Sequence, residues 1–109
     1  MKVVVAYIRP AKEEAVREAL HELKGLTGAS FSDVRGFGRG RSHVNDEDIV
    51  GVGPRVRVEV MTNDLLSAAV ESAIATAAHT GLRGDGKIYV LPMSDARRIS
   101  TGEIGAAAI

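Results

Sequence analysis

The chain repeats one order of elements twice: a β-rich stretch, a helical stripe, then a second β-rich stretch. Val3 to Ile8 is a continuous apolar run rich in β-branched residues, the pattern of a central strand covered on both faces. Pro10 suits a first helical turn. Ala11, Ala15, Val16, Ala19, Leu20 and Leu23 then recur at helical spacing, with Lys12, Glu13, Arg17, Glu18 and Glu22 on the other side and Gly25 closing the element. Phe31 to Val34 reads as the second strand. In the other half, Arg55 to Met61 ("RVRVEVM") alternates charge with valine as a half-exposed strand does. Asn63 or Asp64 caps a second helix, Leu65 to Thr80, closed by Gly81, and Ile88 to Leu91 is the last strand.

Two βαβ halves in so short a chain predict an α+β, ferredoxin-like double βαβ sandwich with an antiparallel sheet and both helices on one face. Both sides of the first strand are apolar, yet helices cover one side only. A chain of 109 residues offers no further layer, so a homo-oligomer is the economical cover for the second face. The same length, with 45% hydrophobic and 26% charged residues, fits a single domain spanning residues 1–109. Acidic and basic residues balance to a formal net charge of +0, which argues against nucleic acid as a partner and requires any anion site to be local. Cysteine is absent, which removes thiolate chemistry and disulfides and agrees with a reducing compartment. No segment approaches a membrane span, so a cytoplasmic location is expected, without direct membrane insertion.

Two glycine clusters stand out against this frame. "GDGK", Gly84 to Lys87, enters the last strand through two glycines around an acid, followed by a lysine; such a turn exposes backbone N–H groups beside a cation and can hold phosphate. "RGFGRGR", Arg35 to Arg41, ends the second strand, with glycines that let a ligand approach and with Arg39 and Arg41 able to fork onto an anion. Short clusters of either kind are commonly plain turns; together they predict that Arg39, Lys87 and Arg98 converge on one anion, within a subunit or across an interface. Between them runs a polar, glycine-rich segment from Arg39 to Gly53, of a length that compact domains reserve for function or disorder.

The histidines supply no catalytic set. His21 falls on the polar face of the first helix and His79 in the last turn of the second. His43 shares the long loop with Asp46, Glu47 and Asp48, a group that could take a metal but follows no fixed ligand spacing.

On these residues the chain resembles the PII signal transduction proteins from end to end. The resemblance rests on "RPAKEEAVREAL", "GFGR" before a long loop, "PRVRVEV" after it, "TGLRGDGKIYVLP", and the closing "RISTGE". It implies a homotrimer that holds adenine nucleotide, ATP or ADP and also AMP, in clefts between subunits. Magnesium would accompany ATP, and no resident cofactor is implied. It also implies a T-loop, about residues 39–53, that docks on a target protein such as a membrane transporter, and a signalling role in nitrogen regulation rather than an enzymatic one. Matched position by position, Gly36, Phe37, Gly38 and Arg39 fall on the segment at the loop base that touches the phosphates. Gly84, Asp85, Gly86 and Lys87 fall on the phosphate turn, Ser30 and Met61 near the adenine, and Arg98 on the first of two arginines reaching across the interface.

The pattern departs from the family at several positions. Ser100 stands in place of the second arginine, which predicts a weaker hold on the terminal phosphate and better competition by ADP and AMP. Gly40 replaces a glutamine and Arg55 a lysine that serve 2-oxoglutarate binding beside ATP, and both weigh against sensing of that ligand. The loop is shorter than usual and lacks tyrosine, so uridylylation of a loop tyrosine cannot operate. Two other classes stay open: a metal-responsive trimer using the His43 cluster, and a small phosphotransfer enzyme using His79. Neither explains "GFGR" and "GDGK" together.

Overall fold

The structure, a computed structural model, describes residues 1–38 and 53–109. Four strands, β1 (Lys2–Ile8), β2 (Ser30–Gly36), β3 (Gly53–Thr62) and β4 (Gly86–Pro92), form one antiparallel sheet in the order β2-β3-β1-β4. Two helices, α1 (Glu13–His21) and α2 (Asp64–Ala78), lie on one face of it and pack against each other. This is the ferredoxin-like α+β sandwich expected from the doubled pattern, with β1 in the interior of the sheet as its apolar run demands.

The alternation of β3 sorts its two faces cleanly. Val56, Val58 and Val60 are buried beside Val4, Ala6 and Ile8 of β1, while Arg55, Arg57 and Glu59 take the opposite side. From above, α1 contributes Val16 and Leu20, and α2 contributes Val70, Ile74 and Ala78, each set spaced by four so that it falls on one stripe. Full burial of each valine or isoleucine stabilises the fold by roughly 1.5–3 kcal/mol.

The element ends differ from the sequence reading in ways that backbone bonding explains. Pro10–Lys12 form a 3-10 turn before α1 proper, and Gly25 follows in the left-handed region at φ +87°. Asn63 caps α2, its side chain accepting from Leu66 N at 2.8 Å. That helix stops at Ala78, short of the expected Thr80. His79 is already extended, and the Thr80 N–H donates to Asp85 instead of continuing the helix. Gly53, expected in the loop, begins β3 and pairs with Gly36. Arg39, Gly40, Arg41, His43, Asp46, Glu47 and Asp48 lie outside the described residues.

Among the described residues, both helices pack on the other face, so the sheet's second face points away from them. Val3, Val5 and Tyr7 of β1 share it with Arg57, Glu59 and Met61 of β3 and with Lys87, Tyr89 and Leu91 of β4. Tyr7 and Tyr89 meet edge to face at 6.3 Å, and Met61, Tyr89 and Leu91 remain exposed. Among the described residues, no helix is long and apolar enough to cross a membrane.

Candidate functional site

The segment from Thr80 to Lys87 is a turn built around one carboxylate. Asp85 accepts from the Thr80 N–H at 2.7 Å, from the Thr80 hydroxyl, and from Arg9 Nε at 3.1 Å. The Thr80 oxygen in turn accepts from Leu82 N at 3.0 Å, and Arg9 Nη2 donates to the Arg83 carbonyl. These bonds, the Thr80 hydroxyl foremost and then its N–H and Arg9, hold the Asp85 carboxyl well below the usual carboxylate range. Asp85 is therefore spent on the turn itself. His79 Nδ1 stands 3.7 Å from Asp85 Oδ2, the oxygen that accepts the Thr80 N–H, an acidic neighbour that the sequence did not reveal.

The two glycines of "GDGK" are required by geometry. Gly84 and Gly86 lie at φ +89° and +109°, where residues with a Cβ rarely go. Gly86 is also pressed onto β1, so that a Cβ there would stand 1.7 Å from the Tyr7 carbonyl oxygen. Lys87 follows on the uncovered face, opposite Tyr7, exposed and with no acidic partner among the described residues. A pocket of about 260 Å³ lies beneath the turn, bounded by Ile74, Ala78, His79, Gly86 and Lys87.

The strand register places the other expected residues. Gly36, the chain ends of β1 and β2, and the entries to β3 and β4 all lie at one end of the sheet. A Cβ at Gly36 would meet no described atom within 4 Å, leaving its outer side open, and Phe37 beyond it is 61% exposed. Ser30 pairs with Glu59, and Met61 with Val3, so both share the uncovered face with Lys87: Ser30 lies on the opposite edge strand, two residues along from the Lys87 row, and Met61 sits toward the other end. Two strand spacings, about 10 Å, and four residues of rise, about 13 Å, separate Met61 from Lys87.

Arg98 belongs to a third region, the turn closed by Arg98 N to the Glu103 carbonyl at 2.9 Å, with its guanidinium 3.5 Å from the Glu103 carboxylate. Arg39, the third expected cation, is outside the described residues. The sequence carries no signal for Arg9 as part of the site: 76 positions separate it from Asp85, and no local spacing marks such a pair. Among the described residues, no group of histidine and acidic side chains could hold a metal ion.

The chain as a whole is similar to known proteins. The sequence profile of nitrogen regulatory protein P-II matches residues 1–103. A nitrogen regulatory protein P-II of Azospirillum brasilense is 43% identical with both chains fully covered, and nitrogen regulatory protein P-II 1 of Escherichia coli is 41% identical with the same coverage. Among solved structures, Arabidopsis thaliana PII bound to citrate superposes with a TM-score of 0.83 at 38% identity, over 99% of this chain and 91% of that one.

Proposed function

Because the chain belongs to the nitrogen regulatory protein P-II family, we propose that it is a non-enzymatic, cytoplasmic signal transduction protein, a homotrimer that binds adenine nucleotide between subunits and meets a target protein through residues 39–53. The observation that carries this reading is the turn at Gly84 to Lys87. Its acid is satisfied internally, its glycines are held in the left-handed region, and its lysine is left exposed without an acidic partner among the described residues. That is a preformed phosphate cradle without an anion of its own.

The separation of the site residues supports a shared cleft. Gly36, Phe37, Gly38, Arg39, Gly84, Asp85, Gly86 and Lys87 would come from one subunit, at the end of the sheet where its turn lies. Ser30, Met61 and Arg98 would come from the neighbour, whose sheet covers the apolar face left open in a single chain. Asp85 takes part by shaping the turn. With Ser100 in place of a second cation, ADP and AMP compete well with ATP and its magnesium, and Gly40 and Arg55 weigh against a response to 2-oxoglutarate. Bound phosphates would order the arms of the loop and so change the shape that a transporter or enzyme meets.

Isothermal titration calorimetry with ATP, ADP and AMP, each with and without magnesium and 2-oxoglutarate, tests the reading. About one nucleotide per subunit is expected, with Lys87→Ala abolishing binding. A protein that binds none of the three sinks the proposal, and stabilisation by zinc or copper in its place would favour a metal-responsive role.

A further inference from the structure

Arg9 stands at the joint where β1 gives way to the 3-10 turn of Pro10–Lys12, its own carbonyl accepting from Lys12 N at 2.9 Å. Its guanidinium leaves that joint and spans the glycine turn. Nε reaches Asp85 at 3.1 Å, Nη2 takes the Arg83 carbonyl, and a Cβ at Gly84 would lie 3.4 Å from Nη2. A planar fork can hold two acceptors in fixed relation, which an ammonium cannot.

The capture of the Arg83 carbonyl has a direct geometric effect. In a trans peptide the carbonyl and the following N–H point in opposite directions. Tying the Arg83 oxygen to Arg9 therefore turns the Gly84 N–H away from the Arg9 guanidinium, and it occupies a carbonyl dipole that would otherwise be able to repel an anion. Holding Asp85 at the same time keeps a carboxylate from the same space. Gly86, packed on the Tyr7 carbonyl, pins the other end of the turn to the same strand.

We propose that Arg9 is a positioning residue for the anion-binding turn: it orients the Gly84 amide outward by holding Arg83 and Asp85, without itself contacting the ligand. The inference rests on the nucleotide reading above for the identity of the anion, while its structural part stands on the turn alone.

Two readouts separate these parts. In the free protein, Arg9→Met, which keeps the side-chain stem, should speed amide exchange at Gly84, Asp85 and Gly86 about tenfold or more while the amides shared by β1 and β3 stay protected. In calorimetry the same variant should lose about tenfold or more in ATP affinity, Arg9→Lys should recover only part, and the loss should shrink in an Asp85→Asn background because the two residues act as one unit. Unchanged exchange and unchanged ATP affinity in Arg9→Met overturn the proposal. A loss equally large with and without Asp85 also overturns it, since Arg9 would then act as a free cation on the ligand. If Arg9→Met unfolds, Arg9→Lys decides by the same two measurements. Faster turn exchange in a protein whose wild type binds no nucleotide keeps the positioning role and sinks only the nucleotide reading.

Discussion

Gly86 passes so close to Tyr7 that a single added carbon on it would stand 1.7 Å from the Tyr7 carbonyl oxygen. The contact ties the glycine turn to the strand at the centre of the sheet, and it makes the start of β4 a rigid base from which Lys87 projects onto the uncovered face.

Gly86→Ala should therefore be among the most damaging small substitutions in the chain. The clash is with backbone, and the φ of +109° is itself unfavourable for alanine, so a loss of about 3 kcal/mol or more is expected. Urea unfolding checks this, with Gly36→Ala, which meets no described atom, as the mild comparison.

Acid should loosen the turn first. The Asp85 carboxyl lies below its ordinary value in the folded protein, so its contribution is fully present above the unfolded-state value of about 4 and is lost progressively as pH falls below that. Unfolding midpoints measured downward from pH 6 should decline, and Asp85→Asn should flatten that part of the profile. Equal slopes for the two proteins would show that other carboxylates carry the effect.

Helix α2 offers a paired test of core and cap. Ile74, fully buried between α2 and the sheet, should cost about 2–5 kcal/mol when cut to alanine. Asn63→Ala removes the cap on Leu66 N and should cost about 1 kcal/mol. Leu65, 93% exposed, should change stability by no more than about 0.5 kcal/mol as alanine.

The homotrimer proposed above would bury the uncovered face. Tyr89 and Leu91 are large and exposed beside Val3 and Val5. Burying a charge in that apolar contact is costly. Leu91→Glu combined with Tyr89→Ser should convert a trimer to monomers in sedimentation velocity while the circular dichroism of the fold persists. A wild type that sediments as a monomer would remove the shared-cleft arrangement.

Periodicity made the fold readable. Alternation along "RVRVEV" and spacing by four in both helices report which side of each element meets the core, and that local signal survives into the packed structure because burial follows it residue by residue. The element ends were less legible, since Thr80 had two possible partners for its N–H and only the folded chain brings Asp85 to it. Of the candidate site, the glycines and Lys87 were visible as a motif, whereas the dependence of that motif on Arg9 was not.

The order of elements, the apolar character of both sides of the first strand and the glycine-bracketed turn were determined by the sequence alone, because each is a matter of residue type and short-range spacing. Tertiary structure decided what the acid in that turn does and where the site residues stand. Asp85 is turned inward by Thr80 and by an arginine 76 positions away, and register puts Met61 at the far end of the face from Lys87 and Ser30 on the opposite edge strand. Long-range pairing of this kind depends on which strands become neighbours, and that is fixed only when the core closes.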